Sequence, residues 1–310
     1  FRANSSSCAS VGYVGTCTNS TENTCLHLYP VNAACNGFDG VEKFQLDVVT
    51  SDRTDNFHTQ GGSFLSVADL DQDGRDDLVY PGSCGANGDH CWRAHYSQGL
   101  FFSTGHDLGN GVYFSDDSYQ TGILTGNFYG DSRPDFVYSG WCGFYGQACW
   151  RVHRGQDTLG KVISNIEPTA FSSQSYELGL TAGDFNSDGR DDILYRGTCG
   201  MASAPCWRIH LNANTNNGQF ETGQDWGGDY SPSDDTATFG LHAGDFNGDN
   251  TADILYRGDC NGDPCWRVHL GASNGLGTGQ NWGNGYYGSE LTPLIGLQID
   301  DFNGDGNDDL

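Results

Sequence analysis

Apolar and polar residues alternate with a period of two in short runs along the chain, and no stretch carries the spacing of an amphipathic helix. The clearest run is Trp207-Arg208-Ile209-His210-Leu211. It sets Trp207, Ile209 and Leu211 on one face of a strand and Arg208 and His210 on the other. Upstream, Gly179 to Asp184 reads as a strand entering an Asp-rich break, and Asp192 to Tyr195 as a strand leaving it. Downstream, a weaker fourth strand carries a Trp-Gly pair. Four short strands therefore make one unit.

The unit recurs about every 60 residues. Its Asp-rich breaks begin at Asp69, Asn127, Asp184, Asp245 and Asp301. After each of the first four comes a Cys pair and then Trp-Arg-x-His, ending at His95, His153, His210 and His269. Thr-Gly-[His/Gln]-[Asp/Asn]-[Leu/Trp]-Gly elements start at Thr104, Thr222 and Thr278, and the second unit lacks one. The N-terminal region joins the pattern through its cysteines. Tyr13 to Cys17 aligns with Tyr195 to Cys199, and Cys25 to Tyr29 with Cys206 to His210. The chain thus starts after the place of a break and ends, at Leu310, just beyond one, so its two ends are complementary halves of a unit. Four-stranded antiparallel units at this period predict an all-β propeller of about five four-stranded blades. The last blade is expected to be completed by the N-terminal segment, of the same chain or of a neighbour. Residues 1–10 read as an extension and 11–310 as a single domain. Its repeats start near 11, 64, 122, 179 and 240, with a partial repeat over 297–310.

Composition narrows the setting. Gly contributes 46 residues, aromatics 13%, and Met is present once, which suits short strands joined by tight turns. No run of 18 apolar residues is present, so no membrane insertion is expected. The net charge of −26, with only Lys43 and Lys161 as lysines, repels nucleic acid and anionic lipid. Because the acidic residues cluster at fixed spacing among strands, metal binding accounts for them better than disorder. The chain opens on Phe1, as expected of a processed or partial chain.

The common form of the break is Asp-x-[Asp/Asn]-x-Asp-Gly-x-x-Asp, with Asn250 for the Gly in the fourth break and oxygen-bearing side chains at positions 1, 3, 5 and 9. A hard cation taking six to eight oxygen ligands needs such a cluster, with Gly for the turn and a main-chain carbonyl from position 7. No Cys or His lies within the breaks, which favours calcium over zinc. An EF-hand would need Glu at position 12 between helices; Tyr80, Tyr195 and Tyr256 stand there between strands.

On these loops the chain resembles the FG-GAP or VCBS repeats of integrin α-subunit-like calcium-binding propellers, over about residues 11–310. The resemblance implies about four calcium sites. Their ligands by position are Asp69, Asp71, Asp73 and Asp77 with the carbonyl of Arg75; Asp184, Asn186, Asp188 and Asp192 with Arg190; Asp245, Asn247, Asp249 and Asp253 with Thr251; and Asp301, Asn303, Asp305 and Asp309 with Asn307. The second loop departs, with Asn127, Tyr129, Asp131 and Asp135 at the ligand positions, Ser132 for Gly and an intruding Pro134, so it is expected to be empty or weak. The Cys-Trp-Arg-x-His element is not part of the resemblance.

Twelve cysteines suit an oxidising compartment. Repetition pairs Cys17 with Cys25, Cys84 with Cys91, Cys142 with Cys149, Cys199 with Cys206 and Cys260 with Cys265, leaving Cys8 and Cys35 to tie down the N-terminus; spacing alone does not decide between disulfide and zinc. Sequons at Asn4 and Asn19 agree with a secreted glycoprotein at the extracellular surface. The four histidines recur once per unit, so a structural role, hydrogen bonding between blades, is expected of them rather than catalysis. Trp226, Trp282, Tyr230, Tyr286 and Tyr287 suit either blade interfaces or sugar stacking, with interface filling favoured. The function expected is a non-enzymatic extracellular calcium-binding module, structural or adhesive, partnering other extracellular proteins or copies of itself and assembling into a surface or matrix filament. The alternative is a carbohydrate-binding, lectin-like propeller with glycan partners. No catalytic constellation stands apart from the repeat background, so an enzyme ranks third.

Overall fold

The computed structural model describes the strands at 11–16, 24–29 and 42–45. It also describes residues 66–84, 89–98, 103, 106–108, 123–142, 147–155, 164–166, 180–199, 204–212, 220–226, 241–260, 263–282, 299–303 and 305–310. All regular structure among them is β-strand. The first sheet holds β1 (Val11–Thr16), β2 (Thr24–Tyr29) and β3 (Glu42–Gln45). A second holds β4 (Ser66–Ala68), β5 (Asp77–Cys84), β6 (Asp89–His95) and β7 (His106–Leu108). The third holds β8 (Ile123–Gly126), β9 (Asp135–Cys142), β10 (Gln147–His153) and β11 (Ser164–Ile166). Then come β12 (Leu180–Gly183), β13 (Asp192–Cys199), β14 (Ala204–His210) and β15 (Gln224–Trp226). The last four-stranded sheet holds β16 (Leu241–Gly244), β17 (Asp253–Cys260), β18 (Asp263–His269) and β21 (Gln280–Trp282), with β19 (Gly271–Ala272) and β20 (Gly275–Leu276) forming a small hairpin between its last two strands.

Each four-stranded sheet is an antiparallel meander, strand following strand in chain order, and each Asp-rich loop joins its first strand to its second. The register repeats: Trp207 stands opposite Trp226, and Trp266 opposite Trp282. The sheets pack face on face in series. On β13, Leu194 joins Trp207, Ile209 and Trp226 against Ile254 and Tyr256 of the following sheet. The opposite face of β13, Ile193 and Tyr195, packs on Phe128, Tyr129, Val137 and Val152 of the preceding one. Both faces of β13 are thus covered, which is why the strand leaving its loop reads Asp-Ile-Leu-Tyr without a polar alternate. Trp207 and Tyr256 meet across this interface at 5.3 Å between ring centres. Burying a side chain of this size stabilises by roughly 1.5–3 kcal/mol. The first strands β4, β8, β12 and β16 lie side by side in that order.

Candidate metal centre

The loops take the same backbone path. Position 6 has the left-handed conformation at Gly74, Ser132, Gly189, Asn250 and Gly306, with φ from 62° to 92°. Position 4 has it too, at Gln72, Gly130, Ser187 and Gly248, although the sequence reading assigned the turn to position 6 alone; Gly stands at each of the two positions in three of the five loops. Two such residues two apart curl the chain so that the odd positions face inward. Their carboxylates then satisfy the loop's own amides. Asp69 accepts from the N–H groups of Asp73 at 3.0 Å and Gly74 at 2.9 Å. Asp184 does the same with Asp188 and Gly189, and Asp301 with Asp305 and Gly306. Asp245 accepts from Gly248, Asp249 and Asn250. At position 5, Asp73, Asp188, Asp249 and Asp305 accept from the position 7 N–H of Arg75, Arg190, Thr251 and Asn307.

Position 9 is built differently. Asp77, Asp135, Asp192 and Asp253 are fully buried, and each carboxylate receives two backbone N–H groups. One comes from the start of its own loop, from position 2 at Leu70, Phe185 and Phe246 and from position 3 at Tyr129, as from Phe185 to Asp192 at 3.1 Å. The other comes from two residues beyond the histidine: Ser97 at 2.7 Å, Gly155 at 2.9 Å, Asn212 at 2.7 Å and Gly271 at 2.6 Å. This residue clamps loop to third strand. Burial pushes Asp192 up to about 8, Asp77 and Asp135 to about 7 and Asp253 to about 6, and the two N–H donors offset only part of that cost.

In the Asp69 loop, carboxylate oxygens of Asp69, Asp71 and Asp77 come within 4.8 Å of one another. Each oxygen has lone pairs beyond those its amides occupy, so the set is an all-oxygen donor cluster with room for a hard cation. Burial and the neighbouring charges of Asp73 and Asp69 raise the Asp71 carboxyl, a repulsion that a cation would relieve. Asp73 is drawn instead to the guanidinium of Arg75. The donor set fits calcium. Asn186 and Asn247 place an amide at position 3 of the next two complete loops, each with Nδ2 toward the position 5 carboxylate.

Consecutive loops are latched through position 8, which the sequence reading did not single out. Asp191 accepts from the Asn127 N–H at 2.7 Å and returns its own N–H to the Asn127 carbonyl at 3.0 Å. Asp308 repeats this on Asp245 at 2.7 and 2.8 Å. Ala252 keeps only the backbone half, to the Asp184 carbonyl at 2.8 Å, beside a Ser187–Thr251 hydroxyl contact of 2.7 Å. Pro134 has neither N–H nor carboxylate. At its seam an open cleft of about 260 Å³ lies among Asp69, Asn127, Arg133 and Pro134.

The remaining candidates fall into place. His210 and His269 bond within their own sheet, which corrects the expectation of bonds between blades. The ring of His210 stacks on Tyr195, with Nε2 3.4 Å from its hydroxyl and Nδ1 3.0 Å from the Glu221 carbonyl. His269 repeats this with Tyr256 and Gly277. Burial lowers both imidazoles. His95 contacts the Ser103 carbonyl at 2.8 Å. Trp226 is buried edge-on to Phe185, and Trp282 packs on Phe246, so both fill the core. Cys206 and Cys265 are in disulfides, and none of the described cysteines is free. Cys8, Cys17, Cys35, Asn4, Asn19, Tyr230, Tyr286 and Tyr287, and the side chains of His153, Cys25, Cys84, Cys91, Cys142, Cys149, Cys199 and Cys260, lie outside the described residues.

No family model matches the chain. It is 30% identical over 142 residues to the rhamnogalacturonan exolyase YesX of Bacillus subtilis (strain 168), a span of 42% of this chain and 22% of that protein. In three dimensions it is similar to part of a Photorhabdus luminescens Tc holotoxin pore, with a TM-score of 0.53 at 14% identity over 96% of this chain and 12% of the other. The chain therefore spans about a fifth of the curated relative's length. That relative is an enzyme, which overturns the expectation that the chain is non-enzymatic: lack of a constellation outside the repeats was too weak a ground for exclusion.

Proposed function

We propose that this chain is a calcium-stiffened, five-bladed β-propeller module of a secreted or surface protein, a rigid structural or adhesive scaffold. The convergence of the Asp69, Asp71 and Asp77 oxygens within 4.8 Å carries the reading. The repetition of the same loop path, the face-on-face stacking of sheets and the serial order of β4, β8, β12 and β16 support it. Asp69, Asp71, Asp77 and their counterparts at Asp184, Asp245 and Asp301 would hold the ions, and calcium supplies the positive charge that lets these carboxylates converge. The disulfides at Cys206 and Cys265 fit the same setting. An ion held at 100 times its dissociation constant adds about 2.7 kcal/mol to the folded state. Four sites would add about 11 kcal/mol, a fall in Tm on the order of 20 °C on chelation. An unchanged Tm in excess chelator refutes the reading.

The likeness to YesX favours a second reading, a propeller that handles acidic polysaccharide, by binding or by elimination. A net charge of −26 repels a polyuronate, and four calcium ions bring it to −26 + 8 = −18 while placing positive charge at the loops. Incubation with rhamnogalacturonan, with calcium or chelator, tests it. Elimination leaves an ultraviolet-absorbing unsaturated uronate, and binding alone shows in calorimetry. Neither signal in either condition sinks this reading and leaves the first untouched.

A further inference from the structure

We propose that the Asn127 loop is a cation-independent version of its neighbours in which the Arg154 guanidinium takes the place of the ion, an inference that rests on the calcium reading of the other loops. The loop has kept its shape. Gly130 and Ser132 hold the two left-handed positions at φ 69° and 62°. Asn127 Oδ1 accepts from Ser132 N–H at 3.1 Å, Asp131 accepts from Arg133 N–H at 3.1 Å, and Asp135 accepts from Tyr129 and Gly155. It has lost two of the carboxylates a cation would use, to Asn127 and Tyr129. Into this loop Arg154 reaches from just beyond the end of β10. Its Nε donates to Asp131 Oδ2 at 3.1 Å and its Nη2 donates to the same oxygen. The guanidinium carbon lies over the Tyr129 ring, 5.3 Å from its centre. The ring at position 3 is thus the platform for a fixed cation, stabilised by cation–π attraction and charge-assisted hydrogen bonds.

Comparison among the units shows that the substitution is matched. The residue after the histidine is Tyr96, Leu211 and Leu270 in the units with complete ligand sets, and Arg154 only in the unit that has lost them. The contacts of Arg75 with Asp73 and Arg190 with Asp188 differ in kind, since both arise from position 7 of the same loop and accompany a complete ligand set. A guanidinium stays charged across the usable pH range and cannot be chelated. This unit should therefore keep its order when calcium falls.

Native mass spectrometry and hydrogen exchange test the proposal on the full chain. Asp131→Asn should leave the number of bound calcium ions unchanged, while Asp188→Asn lowers it by one. In wild-type protein stripped of calcium, amides over 123–137 should exchange at least tenfold more slowly than those over 180–194. Combining Tyr129→Asp, Ser132→Gly and Arg154→Leu should add one ion. A count that falls by one in Asp131→Asn, or protection over 123–137 that vanishes with calcium, overturns the proposal and leaves the calcium reading standing. A wild-type chain that binds no calcium overturns both.

Discussion

A carboxylate that accepts two backbone N–H groups in a fully buried site behaves unlike one that shares a cation at the surface, and the position 9 aspartates do the first whether or not the second follows. Asp135 shows this best, because its loop lacks the carboxylates of positions 1 and 3 yet Tyr129 and Gly155 still converge on it at 2.8 and 2.9 Å. An amide in its place offers one acceptor oxygen and turns an NH₂ group toward an N–H donor. Leaving a buried donor unpaired and removing a charge-assisted bond costs about 2–4 kcal/mol. We therefore expect Asp135→Asn to lower unfolding free energy by about that amount, equally with calcium and without it. For Asp192→Asn, which faces a complete ligand set, the loss should be larger in calcium than in its absence. Urea melts of both variants in the two conditions measure it. A change below about 0.5 kcal/mol in Asp135→Asn would show that the clamp contributes nothing.

Between elements, the seams explain residues that no alternation pattern selects. Position 8 of one loop packs over the residue before position 1 of the loop preceding it, and a Cβ there has no room. At Gly126 it would sit 2.5 Å from the Asp191 carboxylate, at Gly183 2.7 Å from the Ala252 side chain, and at Gly244 2.8 Å from the Asp308 carboxylate. The Asp69 loop has Ala68 in that place, and it faces the Pro134 seam, where no carboxylate arrives. The strands and loops were legible in the sequence because the Cys-Trp-Arg-x-His strand and the Asp-x-[Asp/Asn]-x-Asp run recur about every 60 residues. The latches were not, since Asp191 and Asp308 are adjacent to ligand positions and look like more of the same acid. The direction of His210 was hidden for a related reason: Tyr195 was weighed only as a failed EF-hand ligand, although it lies on the neighbouring strand β13 facing that imidazole. Arg154 stood out only once the fold had brought it to Asp131.

At the scale of the whole molecule, the question is how a chain of net charge −26 holds so many carboxylates in a packed fold, and pH separates the answers. Without an ion, the raised carboxyls of Asp192, at about 8, Asp77, at about 7, and Asp253, at about 6, bind protons more tightly folded than unfolded. Such groups contribute stability that is fully present below about pH 4 and is lost as pH rises through the folded values, here between about 4 and 8. Calcium replaces those protons, so the calcium-loaded protein should escape most of that loss. The histidines act in the opposite sense. Burial lowers His210 and His269, so their contribution is present above about pH 6.5 and falls away as pH drops through their folded values. Both forms carry those histidines, and Asp135 in the ion-poor loop is common to both as well, so these effects cancel in the difference between them. The expected outcome is a gap in Tm between calcium-loaded protein and protein stripped by dialysis that is small near pH 5 and widens steadily to pH 8. Calorimetric scans at half-unit steps measure it, with dialysis preferred because chelators lose calcium to protons at low pH. A gap that stays constant from pH 5 to 8 would mean that the buried position 9 carboxylates do not exchange their protons for the ion, and that the ligand sets exclude Asp77, Asp192 and Asp253.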